Sequence, residues 1–80
     1  MDTNQVLINY VQTELAKGRK SEIKPDDDLL SEGILDSLGI LQLVSFLEET
    51  FDIEVDDEDV VLENFMTISA INDFIQSKKY

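Results

Sequence analysis

The chain has 80 residues, eighteen acidic and six basic side chains, a formal net charge of -12, and no cysteine, histidine or tryptophan. That composition excludes disulfides, thiolate or imidazole zinc sites, cysteine nucleophiles and every Ser-His or Cys-His catalytic pair. The length predicts one domain, residues 1–80, with a thin stability margin.

The basic residues lie before Pro25 (Lys17, Arg19, Lys20, Lys24) or after Ser77 (Lys78, Lys79), with fifteen acids and no base between. Such a field repels nucleic-acid phosphates and anionic lipid, and draws in basic protein patches. It is equally what a solvated surface looks like. The start carries an acid and no apolar signal core, and the longest apolar stretch, Leu38 to Leu47, is too short to span a bilayer. A cytoplasmic monomer without membrane or nucleic-acid contacts is expected.

In chain order, Val6, Leu7, Tyr10, Val11 and Leu15 form a stripe that predicts a helix over 3–17. Asp2 with Gln5 would start it, and Gly18 would end it. Ser21 to Leu35 is a long connection with the only proline, the triplet Asp26-Asp27-Asp28, and Gly33. Its apolar content opposes disorder. Leu29, Leu30 and Ile34 are expected to pin it across the helices, although this loop and a short third helix should be the most mobile parts.

A second helix is expected over 37–50, capped by Asp36. Seven of the ten residues Leu38–Leu47 are apolar, more than one buried stripe needs. Ile40, Leu43, Val44, Leu47 and Phe51 make the core face. Leu38 and Leu41 form a second face, either covered by a partner or buried within the domain. Ile53-Glu54-Val55 reads as extended, followed by a short helix over 57–62 opened by Asp56. Thr67 should cap a last helix over 68–78, with Ile68, Ile71, Phe74 and Ile75 inward. The expected fold is all-α: a bundle of three main helices plus one short one, with a long first loop.

Chemistry can be read in Glu32-Gly33-Ile34-Leu35-Asp36-Ser37-Leu38. A serine just after a capping aspartate shows its hydroxyl where free helix N–H groups suit an attached phosphodiester. No histidine can activate that hydroxyl, so another protein must modify it. Neither Asp26–Asp28 nor Asp56–Asp59 has the ligand alternation and glycine of a calcium loop, so no metal site is expected.

On these residues, with LVSFLEETF (43–51) and Ile53-Glu54-Val55, the chain resembles the acyl carrier protein family and its peptidyl-carrier relatives over nearly its whole length. The resemblance implies a carrier rather than an enzyme. A phosphopantetheinyl transferase would attach 4'-phosphopantetheine to Ser37, and acyl groups would ride on its thiol as thioesters. Asp36 would cap the helix beside it. Leu38, Leu41, Glu48, Glu49, Asp56, Asp57 and Glu58 would meet ligases and synthases through their basic docking patches. Leu43, Val44, Leu47, Phe51, Ile53 and Val60 would wall an acyl pocket. The family's fatty-acid carriers usually hold acids two and five residues after the serine, where this chain has Gly39 and Gln42. That departure points to a carrier in a specialised lipid or polyketide-type pathway, the alternative being ordinary drift in a fatty-acid carrier. An aminoacyl or peptidyl carrier stays open, as does an acidic interaction module that is never modified.

Overall fold

Apolar residues three and four apart dictate which faces the helices bury. In the computed structural model, which describes residues 3–16 and 22–79, these faces meet in one core. The elements are α1 (Thr3–Tyr10) running into a π-helical turn (Val11–Ala16), α2 (Ser37–Phe51), a 3-10 turn (Asp57–Asp59), α3 (Leu62–Phe65) and α4 (Ile68–Lys79). No strand occurs among the described residues. The architecture is the expected all-α bundle. The expected start and stop signals of the first helix, Asp2 and Gly18, lie with Lys17 outside the described residues.

The π-helical turn was not foreseen. Leu7, Val11 and Leu15 are spaced by four, a step slightly longer than one α-helical turn, so the stripe would drift around a regular helix. A wider turn undoes that drift. Leu7, Val11, Leu15 and Ala16 are all buried. Tyr10 stacks on Phe46 with ring centroids 3.9 Å apart, and its hydroxyl donates to the Gln42 carbonyl at 3.3 Å, fixing α1 against α2. Burial first, and the Glu14 charge second, raise the Tyr10 pKa above its ordinary value.

The long connection is tied down rather than loose. Leu29 N–H donates to the Met66 carbonyl at 2.8 Å, and Ser69 N–H to the Pro25 carbonyl at 3.0 Å. The Leu29 carbonyl accepts from both Ile34 and Leu35 N–H, at 3.0 Å each. Ile23, Leu29, Ile34 and Leu35 are buried and Leu30 packs against them. Asp27 and Asp28 accept from Lys24 and Ser31 N–H at 2.9 Å, so part of the acidic triplet serves as turn caps. Gly33 takes φ 73°, the left-handed conformation that lets the chain turn back into Ile34.

Helix α2 extends one residue past the expected Thr50 and stops at Asp52, which adopts φ 55°. Ile40, Leu43 and Leu47 are buried, while Val44 and Phe51 pack partly buried beside them. The short helix expected over 57–62 is corrected. The chain makes a 3-10 turn at Asp57–Asp59, extends through Val60 and Val61, and only then coils into α3. The two β-branched valines favour extended backbone. Asn64 Nδ2 donates to the Asp59 carbonyl at 2.8 Å across the break, and the displaced helix buries Phe65. In α4, the Thr67 hydroxyl accepts from Ala70 N–H at 3.0 Å, and Ile68, Ile71, Phe74 and Ile75 all point inward.

The two faces of α2 predict opposite mutational outcomes. Leu43→Ala should cost about 2–5 kcal/mol in urea unfolding, and Leu41→Ala no more than about 0.5 kcal/mol. Equal losses at both sites would mean that Leu41 is buried too.

Candidate functional site

Ser37 opens α2 and is exposed. The preceding Asp36 is extended (φ -125°, ψ -173°), and its Oδ1 accepts from Gly39 N–H at 2.7 Å. Its carbonyl accepts from Ile40 N–H at 2.8 Å. Leu35, just before, is buried, so the chain enters the helix anchored on one side. The Ser37 hydroxyl and the N–H groups of Ser37 and Leu38 make no hydrogen bond to a described residue. The first turn therefore presents a hydroxyl beside two N–H donors that no described residue engages, at the positive pole of a fifteen-residue helix.

Gly39 has a steric reason to be glycine. A Cβ there would meet Asp36 Oδ1 and Leu35 Cδ1 at 3.2 Å and Leu15 Cδ2 at 3.7 Å. An alanine's better helix propensity, worth up to about 1 kcal/mol, is opposed by pressure on the cap. Beside this turn lies a groove of about 200 Å³, lined by Glu14, Leu15, Ile34, Asp36, Leu38, Gly39 and Gln42.

Leu38 and Leu41 are 64% and 61% exposed, so the second apolar face is open. Val60, Val61, Leu62 and Met66 are also exposed. The expected docking acids divide. Glu49, Asp57 and Glu58 are exposed, whereas Glu48 is half-buried and accepts from Val55 N–H at 3.0 Å, closing the extended segment onto α2. Lys78 lies 2.6 Å from Asp59 and 3.5 Å from Asp56, and Asp56 N–H donates to Asp59 at 3.1 Å. Hydrogen bonding to Lys78 holds the Asp59 carboxyl below its ordinary pKa, and the same bond raises Lys78. None of the six expected pocket residues lines the groove. Leu43 and Leu47 have no exposed surface, Val44, Phe51 and Ile53 are partly buried, and Val60 is exposed. Among the described residues no cluster of acidic side chains could hold a metal, and no helix is long and apolar enough to cross a membrane.

The phosphopantetheine attachment site family matches residues 5–75. The chain belongs to this family of carrier domains. It is similar to an acyl carrier protein homolog of Mycoplasmopsis pulmonis (strain UAB CTIP), at 38% identity over 66 residues, 82% of either chain. It is also similar to a D-alanyl carrier protein of Streptococcus suis (strain 98HAH33), at 37% over 71 residues, 89% of this chain and 87% of the relative. A solved chain described as "Crystal structure of FAD-dependent dehydrogenase" superposes with a TM-score of 0.80 over 88% of this chain and 99% of its own, at 21% identity, and so shares the fold.

Membership brings a covalent 4'-phosphopantetheine, and the first turn of α2 fits it. The exposed Ser37 hydroxyl has no hydrogen-bond partner among the described residues, and the two N–H groups suit a phosphodiester. Asp36, engaged with Gly39, places a carboxylate alongside, so the N–H groups of Ser37 and Leu38 are the ones that would hold a phosphate there. When bound, the arm supplies a thiol that holds acyl groups as thioesters, a sulfur that this cysteine-free chain lacks.

Gly39's packing role, the groove and the Lys78 tie were not foreseen; of these only Lys78 left a signal, as a base facing an acidic run.

Lys78→Met should speed amide exchange across residues 57–66 at neutral pH. Asp59 has a lowered pKa, so its contribution is complete above the ordinary aspartate pKa and is lost as pH falls through the lowered value. The difference between variant and wild type should therefore vanish in acid. A difference that persists with Asp59 protonated would mean that Lys78 acts through Phe74, whose ring centroid is 5.8 Å away, and not through the ion pair.

Proposed function

We propose that Ser37 is the attachment residue and that the chain carries acyl groups for partner enzymes in a specialised pathway. The carrying observation is the exposed Ser37 hydroxyl, without a hydrogen bond to any described residue, on a capped helix turn. The Ser37 oxygen attacks the pantetheine-bearing phosphorus of coenzyme A, and the phosphoanhydride bond breaks to release adenosine 3',5'-bisphosphate. The transferase takes the hydroxyl proton, since this chain has no histidine to do so. Partners cover Leu38 and Leu41 and are steered by Glu49, Asp57 and Glu58. The protein works as a cytoplasmic monomer.

An aminoacyl cargo is the second reading. Gly39 and Gln42 leave the first turns of α2 without the acids usual in fatty-acid carriers, and the D-alanyl carrier relative spans 89% of the chain.

Incubation with coenzyme A and a broad-specificity transferase, followed by intact mass measurement, tests the attachment. Wild type should gain one phosphopantetheine and Ser37→Ala none. An unmodified wild type would favour an acidic interaction module, and a modified Ser37→Ala would move the arm elsewhere. Loading the holo form with adenylating ligases, fatty acids and amino acids separates the two cargo classes.

A further inference from the structure

The proposed function leaves the groove beside Ser37 without a task as a cavity, although Asp36 and Leu38 on its edge cap the turn and face partners. It begins at the residues on either side of the serine, Asp36 and Leu38, and runs between the π-helical turn and the first turns of α2. Wide helical turns of this kind are frequent at functional sites. Here the turn supplies Glu14 and Leu15 to one wall. The opposite wall is backbone at Gly39, where a side chain would press on Leu35 and Asp36.

We propose that this groove cradles the proximal half of the protein's own phosphopantetheine arm, an inference that rests on attachment at Ser37. The chemistry of the lining selects that occupant. Glu14 and Asp36 are acceptors when ionised, and Gln42 both donates and accepts. Leu15, Ile34 and Leu38 give the groove apolar surface. Two carboxylates repel a fatty acid's free carboxylate or a second phosphate. The arm beyond its phosphate is neutral. It carries a geminal dimethyl group, a hydroxyl and amide N–H groups, matching apolar walls edged with acceptors. The phosphodiester stays at the N–H groups of the first turn, and the dimethyl group lies against Leu15 and Ile34. Because the arm is tethered to Ser37, its effective concentration at the groove is high, and weak contacts suffice.

Parking couples to delivery through Leu38. That side chain lines the groove and belongs to the exposed face proposed for partners. An enzyme covering Leu38 removes one wall, and the arm leaves with its cargo. Leu41, Val60, Val61 and Leu62 are exposed apolar residues outside the groove's lining.

The test compares uniformly labelled apo and holo protein by NMR, after mass measurement has established the arm on Ser37. The expected result is amide shift changes at Leu15, Gly39 and Gln42, with NOEs from the arm's methyl groups to Leu15 and Ile34. Gln42→Trp, at an exposed position, should fill the groove and abolish those NOEs while the arm remains attached. Changes confined to Asp36–Leu38 without NOEs would overturn the proposal and leave the attachment intact. Changes centred on Leu41 and Val60–Leu62 would overturn it equally, by placing the arm outside the groove. Failure to modify Ser37 overturns the attachment and the groove's role with it.

Discussion

The hydrogen bond from Gly39 N–H to the Asp36 carboxylate is the contact on which the site depends. It fixes where α2 begins, and so decides that Leu35 enters the core while Ser37 faces outward. It is possible at this packing because residue 39 has no side chain to separate the helix from Leu15, Leu35 and Asp36. A cap of this kind contributes about 0.5–2 kcal/mol. Domains carry roughly 0.05–0.15 kcal/mol of stability per residue, so in a chain of 80 residues one cap is a sizeable share. Its carboxylate also sets the charge beside the serine.

The acidic surface divides in a similar way between holding the fold and facing outward. Asp27 and Asp28 cap turns, Glu48 closes the extended segment onto α2, and Asp56 and Asp59 engage Lys78. Glu49, Asp57 and Glu58 are exposed. The engaged acids still count in the net charge of -12, but their side chains are held in place and are not free to reach a basic partner. Lys78 neutralises part of that charge, on the side where α4 meets the 3-10 turn.

Helix α4 was legible because its signals are local: a Thr67 cap and four apolar residues at helical spacing. The inward face of α2 and the pinning residues Leu29 and Ile34 were legible for the same reason. The fate of Leu38 and Leu41 was not, because periodicity shows a second apolar face without showing what covers it. The segment after Asp56 misled because its acids and apolar residues suit a helix, yet Val60 and Val61 extend, Asn64 bridges the break, and the tie to Lys78 comes from the far end of the chain. The wide turn at Val11–Ala16 keeps the four-residue spacing of Leu7, Val11 and Leu15 on one face, a spacing that a regular helix also tolerates, so the sequence does not single it out. Gly39 was read as a missing acid, a statement about charge, whereas its neighbours make it a statement about space.

Native-state amide exchange at Gly39 tests this account most directly. Gly39 N–H should be strongly protected in the wild type. Its protection should survive in Asp36→Asn, where the amide oxygen can still accept, and collapse in Asp36→Ala, where nothing can. A Gly39 amide that exchanges as fast as an exposed loop, or one that stays equally protected in Asp36→Ala, would contradict the claim that this bond holds the first turn of α2.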